Sequence, residues 1–104
     1  MTLANLKTAI AGLGLPFVYG YLPDRQQCPY IAYASTTRNA VHADGVVVYC
    51  EEWIVLRFVS KKRDLTTEQA IEKMLTDNGI PFDDPDLAFD EKQEIHTATY
   101  FFQI

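Results

Sequence analysis

The sequence predicts an α+β domain, a mainly antiparallel sheet with two helices packed on one face. Three observations lead there. Residues 46–60, VVVYCEEWIVLRFVS, are so rich in β-branched and aromatic side chains that they read as one long strand. Two stretches, one at the N-terminus and one after residue 64, place apolar residues at helical spacing. The closing IHTATYFFQI is again aromatic and β-branched. The resulting order of helix, strands, helix, strand suits helices gathered on one face of an antiparallel sheet. At 104 residues the chain has material for one core, so a single domain covers 1–104.

Taken in order, Thr2 can cap a first helix with Leu3, Leu6, Ile10 and Leu13 on one side, and Gly12, Gly14 and Pro16 stop it. Phe17, Val18 and Tyr19 form a brief extended piece. The stretch 20–29 is turn-rich, because Pro23, Asp24 and Pro29 disfavour helix. A strand is expected at 30–34. The polar TTRNAVHADG, 36–45, reads as a long hairpin loop ending in Asp44-Gly45 turn chemistry. On the long strand, Ile54, Leu56 and Phe58 alternate with Trp53, Val55, Arg57 and Val59, so neither face is plainly polar. Such a strand lies between two layers or offers one face to another chain. The basic SKKRD makes a charged turn, and Thr66 or Thr67 can cap a second helix carrying Ala70, Ile71, Met74 and Leu75, ended by Asn78-Gly79. The acidic DDPDLAFDEKQE then reads as a solvated loop before the terminal strand.

Composition narrows the function. Nine Lys and Arg against fourteen Asp and Glu give a formal charge of −5, which argues against a protein built to neutralise phosphates, so no sequence-specific nucleic-acid partner is expected. No window approaches the roughly 20 apolar residues of a membrane span, and the N-terminus lacks a signal peptide's apolar core, so no membrane partner is expected and synthesis in the cytoplasm is the default. Cys28 and Cys50, with His42 and His96, have no metal-ligand spacing, and the two cysteines read as small buried hydrophobes.

There is no phosphate-binding glycine loop, HExxH or GxSxG, and no cofactor or catalytic residue is assigned. The acidic loop lacks the glycine and glutamate spacing of a calcium hand, and Glu51 and Glu52 would point to opposite faces of a strand. His42 and Asp44 would share a side if extended, but a hydrolase built on them needs a nucleophile the sequence does not supply. Arg38, Asn39, His42 and Asp44 instead suit a recognition surface, and Trp53 is the strongest single interface candidate, with Val55 and Arg57 beside it.

Several pieces in succession resemble the small neck and tail-completion proteins of long-tailed bacteriophages, the tail terminators and head-to-tail joining proteins. They are the N-terminal helix followed by PFVYGYLPDRQQCPYIAYA, then NAVHADGVVVYCEEWIVLRFVSKKRD, the helix TTEQAIEKML and the closing FDEKQEIHTATYFFQI. The likeness covers nearly the whole chain. It implies a non-enzymatic structural protein of the virion that assembles with copies of itself, typically as a hexameric ring, at the head-proximal end of the tail. Its partners would be the tail tube protein and the head connector protein, with DNA passing through the ring. Residues 36–45 and 46–59 would supply ring or tube contacts. The alternative is a small non-catalytic α+β module that binds a protein partner through the 36–45 loop.

Overall fold

A computed structural model describes the backbone of residues 2–20, 29–92 and 94–104, and the side chains of these except 39, 41–43 and 47–51. Two helices and five strands follow in the order α1 (Leu3–Ala11), β1 (Phe17–Tyr19), β2 (Tyr30–Ala43), β3 (Val46–Ser60), α2 (Leu65–Asp77), β4 (Asp86–Asp90) and β5 (Ile95–Gln103). The strands form one sheet in the order β1-β2-β3-β5-β4. Only β1 and β2 run parallel; the other three pairings are antiparallel. The α+β class and the gathering of both helices on one face follow the sequence reading.

The core explains that gathering. Leu6 and Ile10 from α1, and Ile71 and Leu75 from α2, are fully buried against Ile31, Ile54, Leu56, Phe58, Tyr100 and Phe102 of the sheet. The even-numbered positions of β3 and β5 thus face the helices. Each large side chain so buried contributes about 1.5–3 kcal/mol relative to exposure. The odd-numbered positions face away, where only Tyr30, Ala32 and Val59, with Val18 and Ile95 beside them, make a second small cluster.

Three expectations are corrected. The hairpin loop expected at 36–45 is strand as far as Ala43, leaving Asp44 and Gly45 as a two-residue turn with both φ angles positive, 52° and 77°. That is the turn geometry whose twist matches a hairpin, and Asp-Gly is a preferred pair for it. The polar run extends because Val46–Ser60 needs a ladder for its backbone groups, and Thr36, Thr37 and Val41 tolerate one. Second, α2 is capped by Asp64, whose carboxylate accepts from the Thr67 amide (3.1 Å) and hydroxyl (2.7 Å), rather than by Thr66 or Thr67. A carboxylate reaches the first-turn amides and also complements the helix dipole. Third, the acidic stretch is not all loop, since Asp86–Asp90 pairs antiparallel with β5 as an edge strand. Alternation of Asp86, Ala88 and Asp90 with Leu87 and Phe89 is the period-two signal that the flanking aspartates obscured.

The first helix has its expected cap, with Thr2 accepting from the Asn5 amide at 3.2 Å. The second ends at Asn78 and at Gly79, whose φ of 69° favours glycine. Among the described residues no helix is long and apolar enough to cross a membrane.

Candidate interaction surface

The β2–β3 hairpin outruns the sheet. Pairing of β1 with β2 stops at Tyr33, and pairing of β3 with β5 stops at Trp53. Beyond that, 38–43 and 46–52 pair only with each other among the described strands, as a two-stranded arm roughly 20 Å long. The molecule measures 53 × 27 × 22 Å, and its radius of gyration of 15.0 Å exceeds the roughly 13 Å of a compact chain of this length.

The base of the arm is pinned. Ser35 Oγ donates to Glu52 Oε2 (3.0 Å), Thr36 Oγ1 donates to the Trp53 carbonyl (3.3 Å), and the Ile104 amide donates to the Glu52 carbonyl (2.9 Å). A register shift between Ser35 and Thr37 falls at this point. Irregularities of this kind bend and twist a strand locally, and this one coincides with the point where the arm departs from the body.

Next to the base, on the face away from the helices, lie Trp53, Val55 and Phe101. Val55 and Phe101 are directly opposite in register, and Trp53 is opposite Gln103. Trp53 is 40% exposed and Phe101 51% exposed, whereas Val55 is buried between its neighbours at 7%. Arg57, half-buried, follows on the same face. Exposed aromatic side chains with an arginine alongside are residue types enriched at protein interfaces, tryptophan and arginine most of all at their hot spots.

Of the residues singled out from sequence, the structure brings Trp53, Val55 and Arg57 together on this face. Val55 is already covered within the chain and has little surface to offer a partner. Arg38 is exposed on the arm, opposite Glu52. Asp44 is exposed in the turn at the far end, and Asn39 and His42 lie in the arm with side chains outside the described residues. His42 and Asp44 do not continue one extended strand, because Asp44 has left-handed backbone, so the period-two argument for pairing them fails. The readings placed on Cys28 and on the Cys50 side chain also lie outside the described residues.

A second concavity, of about 190 Å³, lies between the start of α2 and the β4 edge, lined by Phe58, Arg63, Glu68, Leu87, Phe89 and His96 among others. Glu68 is buried and pairs with the Arg63 guanidinium at 3.6 Å. Ser60 also lines the space, but its hydroxyl donates to the Lys62 carbonyl (2.7 Å), and the His96 ring lies against Phe89 with centroids 4.5 Å apart. Serine and histidine are therefore engaged separately, without the mutual hydrogen bond of a nucleophile and its base. Nearby, the Tyr100 hydroxyl is buried with no hydrogen-bond partner among the described residues, and desolvation, then the Glu72 and Glu68 charges, push its ionisation far above the usual tyrosine range. Burial likewise raises Tyr33, with Tyr19 adding to it. No three His, Cys, Asp or Glu side chains converge on a metal-sized site among the described residues.

Searches against protein-family models and against curated proteins return no match.

Three surface residues escaped the sequence reading. Phe101 is one of two adjacent phenylalanines on a strand, so one had to face away from the core. Leu87 and Phe89, each 52% exposed, were hidden among aspartates, although their i, i+2 spacing marked a shared side.

Proposed function

We propose that this chain is a structural virion protein of a phage or prophage, one that assembles with copies of itself as a ring, hexameric as the sequence resemblance implies, at the head-proximal end of the tail. There it stops growth of the tail tube and supplies the surface that meets the head connector. The observation that carries this reading is the two-stranded arm with an exposed aromatic patch at its base. An isolated hairpin is marginal in water, and a partner chain that covers it stabilises it. Trp53, Phe101 and Arg57 give that partner an anchor, and the arm gives it reach. A heterologous contact of this kind, repeated head to tail, closes a ring when the rotation allows. The sequence resemblance supplies the phage context and the tube and connector partners.

The test is polymerisation of tail tube protein in the presence of this chain, followed by electron microscopy. Tubes that are capped at one end and shorter as the added protein increases are expected. Tubes of unchanged length with bare ends would overturn the terminator reading and favour the small protein-binding module.

A further inference from the structure

We propose that the two free edges of the sheet join between copies, β4 of one protomer adding antiparallel to β1 of the next, so that a continuous sheet runs around the assembly. The inference rests on the ring-forming reading and names the contact that would close it. Among the described strands, β1 and β4 are the two outermost of the sheet. Both edges are short, three residues in β1 and five in β4, with Pro16 and Pro85 just before them and Asp86 and Asp90 on β4, so they limit indiscriminate pairing and leave room for one short, specific match.

Direction, height and apolar face match. β1 runs with β2, and three successive antiparallel steps lead from β2 through β3 and β5 to β4, so β4 runs opposite to β1. A neighbour placed by rotation about an axis along the strands keeps those directions, and its edge pairing is antiparallel. One row of register partners crosses the whole sheet from Phe17 through Ile31, Phe58 and Ala98 to Leu87. The next row runs from Val18 through Ala32, Arg57 and Thr99 to Asp86. The two edges therefore lie at the same height, and a copy repeated without a shift sets Leu87 beside Phe17 and Asp86 beside Val18.

The first of those rows faces the helices. On that side β1 offers Phe17 and the 53% exposed Tyr19, over a groove shared with Leu3, Lys7 and Tyr33. β4 offers Leu87 and Phe89 on the same side. Joining the edges buries four large side chains in one seam, which the isolated chain leaves partly in water. The charged residue of the β1 groove is Lys7, whereas the segment that leads into β4 carries Asp83 and Asp84; Asp86 itself faces away from the helices. A second copy of the chain satisfies both edges at once, because each copy supplies the complementary one.

Disulfide trapping tests the contact in the full chain with Cys28→Ala and Cys50→Ala as background. Val18→Cys combined with Asp86→Cys probes the unshifted register, and Val18→Cys with Ala88→Cys probes a shift of two residues on the same face. Mild oxidation of the assembled protein should give a ladder of covalent oligomers with at least one pair, and only dimers when two single variants are mixed. Leu87→Asp should reduce the assembled fraction at least tenfold with an unchanged melting temperature. Assemblies of wild-type mass that give no ladder with either pair overturn this contact and leave the ring reading standing. Dimers from Val18→Cys alone or Asp86→Cys alone also overturn it, in favour of a two-fold edge contact. A chain that stays monomeric at every concentration and on tubes overturns both.

Discussion

The two halves of the β2–β3 hairpin share one ladder and meet different fates. Near the body, Ile31, Tyr33, Ile54, Leu56 and Phe58 lie under α1 and α2 and are excluded from water. Beyond Trp53 the same two strands continue with no third described strand beside them, and the described core stops at Tyr33 on one and Ile54 on the other. The backbone hydrogen bonds are alike in kind, so what differs is the layer that covers them. The body is where the fold is specified. The arm, without a third described strand or a described core beneath it, contributes little to it.

The comparison breaks first at the body. Phe58→Ala, removing a ring that is 2% exposed, should cost about 3–5 kcal/mol in urea unfolding. A loss below about 1 kcal/mol would mean the helix-covered face does not dominate stability. The arm is expected to behave in the opposite way. Replacing residues 39–51 with Asn-Gly keeps Arg38 opposite Glu52 across a two-residue turn, and should abolish self-association in light scattering while the melting temperature moves by only a few degrees. At the junction, Trp53→Ala and Arg57→Glu should each weaken association roughly tenfold or more, and reduce monomer stability by less than about 1 kcal/mol. An unchanged assembly mass for both variants would remove the open face from the interface. A monomer that unfolds would make Trp53 a core residue.

Two smaller effects sharpen the picture of the body. Tyr100→Phe removes a buried hydroxyl that has no hydrogen-bond partner among the described residues, so unfolding free energy should stay level or rise by about 1 kcal/mol. A clear loss would reveal a hydrogen bond made in solution. Asp64→Ala should lower the denaturant midpoint at neutral pH by removing the cap of α2. The hydrogen bonds from Thr67 hold the Asp64 carboxyl below its usual range, so the native state binds the proton less readily than the unfolded chain. Its contribution is complete above the ordinary carboxylate range near pH 4 and fades as pH falls through the lower native value. The gap between wild type and Asp64→Ala should therefore shrink in acid; a gap that widens there contradicts the cap.

Much of the body was legible because its signals are local. Thr2 and the glycines bracket α1, Val46–Ser60 is strand by composition, and the alternation of Ile54, Leu56 and Phe58 with Trp53, Val55, Arg57 and Val59 separated the strand's two faces without showing which is covered. The arm was not legible, since the residues of 36–43 are polar and their extended form is imposed by the partner strand across the turn. β4 was missed for a related reason, its five residues pairing with a strand that comes later in the chain. The candidate surface was half visible. Trp53 and Arg57 could be placed on one face by period two, but Phe101 joins them only through the β3–β5 register, and the burial of Val55 depends on those same neighbours.

The most direct measurement is the solution mass of the wild-type chain by light scattering over a concentration series, alone and with tail tubes. A ring-sized species, or a monomer that becomes one on tubes, is the expected result. A monomer that holds its mass at every concentration and ignores tubes would contradict self-assembly through the arm and the open face.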